Sequence, residues 1–447
     1  MDPTQLNWLS ASDAARAIRD GAISAEQLMQ ACLARVHEVD GRVQAWTFLD
    51  EEHALAQARA RDLDRAEGRA IGPLHGVPVG IKDIIDTCDM PTEDGTVLHA
   101  GRTPAHDAAV VAKLRAAGAV IMGKTVTTEC ATYSPGKTRN PHNPEHTPGG
   151  SSSGSAAAVA AGMVPLALGS QTNGSVIRPA AYCGVHGFKP THGLIPRSGV
   201  MKLSRTLDHV GMFARSIDDL ALLAETLVGW DADDPDTRPR AAIPFREIAA
   251  QEPPLAPLLG FVKPPVWERA EPDTREAFAE LGGQLKDVVV EIDLPASTAG
   301  MLDWHRTIME AEMAANLDRE YEQGRDRLSQ SLREQLARGR GLPVLDYQRA
   351  LARIPLLNAA FEEIFERCDA FITPAAAGTA PKGLASTGDP SFCTLWTLCG
   401  MPALNLPLMQ GANGLPLGVQ LVGQRGSDAR LLRTAKWLVG RLETKES

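Results

Sequence analysis

Residues 136–155 read GKTRNPHNPEHTPGGSSSGS, and the chain then passes directly into AAAVAAGM and VPLALGS. Prolines fix φ and remove backbone donors, and the glycines and hydroxyls around them follow no apolar period, so this stretch is an irregular loop. It feeds a helix faced with alanine and then a short apolar strand. Side chains that small let neighbouring backbones approach very closely, which predicts a central helix covered on all sides.

The flanking sequence says what covers it. Ser24-Ala25-Glu26-Gln27 is a capping box opening an amphipathic run through Leu28, Cys32, Leu33 and Val36, and Gly21 and Gly41 stand where two short leading helices would stop. Residues 51–67 are helical in pattern, LHGVPVGIKD (74–83) is a buried strand, Asp107 to Gly118 another helix and AVIMGK (119–124) another strand. This alternation predicts an α/β fold, a central mixed, twisted sheet with helices on both faces. A helix over 216–229 precedes the charged, proline-rich 231–254, a surface excursion. Residues 257–368 hold the strands LLGFVK and VVVEIDLP among long charged helices, with a polar, solvent-facing stretch at 318–340; ALNLPL and LPLGVQLVG return as strands before a final helix from Asp428.

Composition removes several function classes. Of 447 residues, 44% are apolar and 22% charged, the balance of an ordinary globular chain, and a net charge of -10 gives the wrong field for phosphate backbones or anionic membranes. No nucleic acid or membrane partner is expected. The seven cysteines are scattered and include no C-x-x-C pair, which argues against a disulfide framework and a zinc site and fits a reducing cytoplasm. The N-terminal MDPTQLNWLSASDAARAIRDG has neither a basic nor an apolar leader region, so a cytoplasmic location is expected. There is no HExxH, no GxGxxG after a strand, and no lysine after Gly149-x4-Gly154 to make a phosphate loop. Gly150 to Gly154 does fit G-x-S-x-G around Ser152, but that elbow needs a strand running into it, and Pro141, Pro144 and Pro148 precede it instead.

Three segments remain: Lys82 at the end of a buried strand, the Gly/Ser run 149–155, and Gln171-Thr172-Asn173-Gly174-Ser175-Val176-Ile177-Arg178-Pro179. Together they resemble the amidase signature family, as does the spacing of Ser151 from Ser175. The blocks 73–83, 183–199, 208–223 and 397–424 resemble its flanking segments; 225–370 resembles its variable part, expected to shape the substrate pocket within one domain spanning 1–447. The resemblance implies Ser175 as nucleophile, Ser151 as a bridging serine on a cis peptide bond, and Lys82 as base. It also implies an oxyanion hole from the N–H groups of Thr172, Asn173, Gly174 and Ser175, with the hydroxyls of Ser153 and Thr172 in support. No metal or organic cofactor is implied.

The chemistry agrees with these roles. A serine hydroxyl needs a base to take its proton, and a lysine set among Val77, Val79 and Ile81 loses hydration in its charged form, so its pKa falls and its neutral amine can accept one. For Arg178 two readings stand: a clamp for a substrate carboxylate, or a structural arginine beneath the oxyanion loop. Tyr133 and Glu129 line the pocket or pack a helix end. His142, His146, His186 and His192 are assigned to loop polarity, and Cys183 to the core. Asn173 stands where the family usually has glycine, and is expected to take a positive φ there. The expected activity is hydrolysis of a C–N bond in a small amide, carbamate or urea-like compound through an acyl-enzyme, with a homodimer as the expected assembly. The rival is an A-type amidotransferase chain that works on misacylated tRNA together with partner subunits, and whose usual Asp-Thr-Gly-Gly-Ser run differs from Gln171 to Ser175.

Overall fold

In the computed structural model, which describes residues 3–446, the run expected to end at Lys82 is a strand, Pro78–Lys82, and its 5 residues are all buried. Among the described residues it belongs to one 11-stranded sheet. In chain order the strands are β1 Trp46–Leu49, β2 Pro78–Lys82, β3 Val120–Thr125, β4 Leu166–Gln171, β5 His186–Lys189, β6 His209–Ala214, β7 Leu259–Val262, β8 Val289–Ile292, β9 Ala370–Pro374, β10 Ala403–Gln410 and β11 Pro416–Val422. They lie side by side as β1-β3-β2-β4-β6-β5-β10-β11-β9-β7-β8. β2 runs parallel to both β3 and β4, and β7 to both β8 and β9; the other neighbours are antiparallel, so the sheet is mixed.

Strand alternation divides the core between two faces. Leu166 and Leu168 of β4 join the larger apolar cluster, and Ala167 between them joins the other. On that second face lies the helix Ser153–Ala160, all of whose side chains but Ala160 are buried, as expected of a covered central helix. Gly154 shows how close the approach is: a Cβ there would stand 2.2 Å from the Ala45 carbonyl oxygen and 2.4 Å from the Val126 nitrogen.

Most of the expected elements are present, including the Ser24–Gln27 capping box with both of its bonds, although the helix it opens, Ala25–Val43, is 19 residues long rather than short. The stretch 318–340 is not solvent-facing throughout. Its helix Gln330–Arg340 buries Leu332, Gln335 and Leu336, which share a face at helical spacing, against the helix Met301–Asn316. A few apolar positions spaced by three and four suffice for this, and the surrounding charges mask them in a composition-level reading. Strand β5 is likewise hidden, inside the Gly- and Pro-dense stretch 171–199, so His186 belongs to a strand and not a loop. All seven cysteines are free thiols. No helix of the described residues is long and apolar enough to cross a membrane.

Candidate active site

The parallel strands β2 and β4 are neighbours, so their carboxyl ends open on the same side of the sheet, where α/β proteins build sites. β2 ends in Lys82. β4 ends in Ser170 and Gln171 and continues through residues 172–175 into the helix Ile177–Cys183. The loop before the central helix brings in Ser151, and the Gly150–Ser151 peptide is cis. Lys82 Nζ lies 2.7 Å from Ser151 Oγ and 2.9 Å from Ser170 Oγ. The ammonium has no solvent exposure, and loss of hydration pushes its pKa down to about 7 against the opposing charge of Asp208. A sizeable share of the amine is therefore neutral at physiological pH and able to accept a proton from a hydroxyl. Ser170 escapes a reading of the sequence, although it is the one hydroxyl inside an otherwise apolar strand run.

The loop after β4 is held by its carbonyls. Thr172 O accepts from His305 Nε2 at 2.8 Å, Asn173 O from Thr397 Oγ1 at 2.6 Å, and Gly174 O from the backbone N–H of Arg178 at 3.0 Å. The Gln171 side chain ties the same region together: its Oε1 accepts from the N–H groups of Val176 and Ile177 at 2.8 and 3.0 Å, and its Nε2 donates to Thr397 Oγ1 at 2.9 Å. Thr172 Oγ1 donates to Asp208 Oδ1 at 2.6 Å. The backbone N–H groups of Leu203 and Ser204 donate to the other oxygen of this half-buried carboxyl, whose pKa is pushed up to about 6 by loss of hydration. Ser175 itself is half-buried. Asp208, His305 and Thr397 are not evident from sequence, because each lies far along the chain from the residues it holds.

The expectation for Asn173 is corrected. Among the described residues, positive φ outside glycine occurs at Gln44, Asp94, Cys130 and Ala131, not at 173. Its side chain is what the site uses: Nδ2 donates to Tyr133 Oη at 3.1 Å, and Oδ1 accepts from Thr394 Oγ1 at 2.7 Å. Arg178 is structural in its contacts. Its Nε donates to Thr387 O at 2.8 Å and its Nη2 to Gly150 O at 2.7 Å, so a buried guanidinium joins the segment that carries Ser175 to the cis peptide. Glu129 accepts the backbone N–H of Ser329 at 3.1 Å, at the start of the helix Gln330–Arg340. Ser153 Oγ reaches the Ser151 carbonyl at 3.4 Å, and Ser152 Oγ is satisfied by the β4 backbone at Ser170. His142, His146 and His192 each bond a backbone carbonyl. Cys183 is buried, its thiol held well above the usual range.

Beside this loop is a cavity of about 360 Å³ whose walls include Tyr133, Asn173, His305, Glu310, Gln335 and Arg338. Six charged side chains line it; Arg338 pairs with Glu310 and Arg269 with Asp389, each at 3.1 Å, while Arg306 and Glu334 have no such partner within the lining. The amidase family profile matches residues 27–432. The chain belongs to the amidase family. The A-type subunit of glutamyl-tRNA(Gln) amidotransferase from Chloroflexus aurantiacus is 35% identical to this amidase, covering 96% of each chain. Among solved structures, the peptide amidase of Stenotrophomonas maltophilia superposes with a TM-score of 0.85 at 29% identity over 97% of both chains. A protein of a vestigial complex that bears on the origins of an s-triazine catabolic enzyme superposes at 0.90, with 28% identity over 97% of this chain and 98% of that one.

Proposed function

We propose that this amidohydrolase cleaves the C–N bond of a small amide through an acyl-enzyme on Ser175. The observation that carries the reading is the buried Lys82 amine 2.7 Å from Ser151 Oγ, with burial lowering its pKa to about 7. In this mechanism Ser175 Oγ attacks the carbonyl carbon while its proton passes to Ser151, whose own proton passes to Lys82. The oxyanion is received by the N–H groups of the loop 172–175. The proton returns along the same path to the leaving nitrogen, the amine departs, and water attacking the acyl carbon under the same base releases the acid and restores Ser175. Ser170, the second hydroxyl on Lys82, holds the amine in place as its charge changes.

The substrate space is the cavity beside Asn173, bounded on one side by Tyr133 and on the other by the segment 225–370, which supplies His305, Glu310, Gln335 and Arg338. The three cationic and three anionic side chains of its lining favour a polar substrate without net charge, and Arg178 commits its Nε and Nη2 to Thr387 and Gly150, which leaves a buried Nη1 without a partner. Carbamates share the planar carbonyl and the leaving nitrogen and fall within the same chemistry.

A second reading has its own support: at 35% identity, the relative from Chloroflexus is the A-type chain of an amidotransferase. That role would need partner subunits. Incubating the purified chain alone with small neutral amides, anilides and carbamates, with Ser175→Ala as blank, separates the two. Turnover by the single chain is expected; its absence, with activity appearing only on addition of partner subunits and misacylated tRNA, would favour the rival.

A further inference from the structure

We propose that His305 is a positioning residue for the oxyanion-binding N–H groups: by holding the Thr172 carbonyl it fixes the peptide plane that aims the N–H of Asn173. This rests on the acyl-enzyme reading above and adds a component that the nucleophile, the bridging serine and the lysine do not supply.

The argument is geometric. A trans peptide is planar and its C=O points opposite to the following N–H, so a bond that fixes the carbonyl of one residue fixes the direction of the next residue's donor. Three consecutive carbonyls are fixed here: Thr172 O by His305 Nε2 at 2.8 Å, Asn173 O by Thr397 Oγ1 at 2.6 Å, and Gly174 O by Arg178 N at 3.0 Å. The donors oriented in consequence are the N–H groups of Asn173, Gly174 and Ser175. The third clamp is an ordinary backbone bond of the helix that follows. The first two come from side chains, and they come from outside the loop: Thr397 from the helix Ser391–Leu398, His305 from the helix Met301–Asn316.

A carbonyl oxygen only accepts, so His305 Nε2 carries the hydrogen. The ring is buried with 1% exposure, and burial lowers its pKa to about 4, so it donates as neutral imidazole and adds no charge beside the loop 172–175. His305 is also a wall of the cavity. The segment that gives the pocket its shape therefore also sets the angle of the oxyanion donors, and the two properties are tied through one side chain.

The test uses the purified full chain and a substrate it turns over, with kcat and KM measured separately alongside thermal unfolding. His305→Phe keeps the volume and removes the donor; His305→Gln returns an N–H at a similar reach; Thr397→Val removes the second clamp at constant shape. Misdirecting a donor should lower kcat by about 10- to 100-fold in His305→Phe and in Thr397→Val, short of the ~10²–10³ typical for outright loss, with KM changed less than about threefold. His305→Gln should recover most of the kcat. Affinity for a boronic acid mimic of the tetrahedral intermediate should fall in step with kcat. A folded His305→Phe with wild-type kcat overturns the proposal, and so does a folded His305→Gln as slow as His305→Phe. Should His305→Phe not fold, Thr397→Val decides: unchanged kcat overturns the clamp. Ser175→Ala keeps the two levels apart. If it retains turnover, the acyl-enzyme reading fails; if it is inactive while the clamp variants are normal, only this inference does.

Discussion

With Lys82 as the proposed base, its burial would tie the pH dependence of turnover to one side chain. With its pKa lowered to about 7, activity should rise through neutrality to an alkaline plateau, and Lys82→Ala should lose nearly all turnover. Stability carries the same signature. The unfolded chain holds a proton on this lysine up to its ordinary pKa near 10.5, whereas the folded chain gives it up near 7, so between those values the wild type gains stability as pH rises. Lys82→Met has no such gain, and its melting temperature relative to the wild type should be most favourable at pH 6 and decline steadily towards pH 10. Asn173 gives a second test at this scale. With its amide bridging Tyr133 and Thr394, Asn173→Gly should cost about tenfold in kcat/KM, roughly the worth of one or two buried hydrogen bonds, and Asn173→Val at least as much. Kinetics of the glycine variant equal to wild type would return the explanation to the backbone. Lys82, Ser151 and Ser175 can be singled out in the sequence because the three runs that carry them resemble, together and at that spacing, the segments of one family. Ser170, Asp208 and His305 cannot: their meaning lies in which distant group each one touches.

At the scale of elements, the alanine-faced helix Ser153–Ala160 is the most legible feature, because only close approach explains so many small residues in succession. Gly154 sits at its tightest point, with the Ala45 carbonyl 2.2 Å from where a Cβ would be. Gly154→Ala must displace either the helix or the chain at Ala45 and Val126, and a denaturant titration should show a loss of at least ~1–3 kcal/mol, the usual range for an overpacked core. Arg178 links the helix Ile177–Cys183 to Gly150 and Thr387, so Arg178→Lys, which cannot reproduce the fork of donors, should lower stability by about 1–3 kcal/mol while leaving the ranking of neutral against acid-bearing amides unchanged. A selective loss of acid-bearing substrates would instead put the guanidinium in the pocket. The buried face of the helix Gln330–Arg340 is hard to read from sequence because few residues carry it, and a polar average hides a stripe that narrow.

For the whole molecule, the strand order is what makes the site. β2 and β4 are parallel neighbours although a third strand, β3, and the Gly/Ser loop lie between them in the chain, and this brings Lys82, Ser151 and Ser170 together. Alternation of helix and strand patterns specifies the class of fold but not this adjacency, since periodicity reports faces and not partners. The central claim is that Ser175 is a nucleophile activated through Ser151 by Lys82. It is tested most directly by reacting the chain with a fluorophosphonate across pH 5–10 and locating the adduct by peptide mass spectrometry. The account predicts modification of Ser175, at a rate that rises with a midpoint near 7 and is almost abolished in Lys82→Ala. An adduct on another residue, or unchanged labelling of Ser175 in Lys82→Ala, would contradict it.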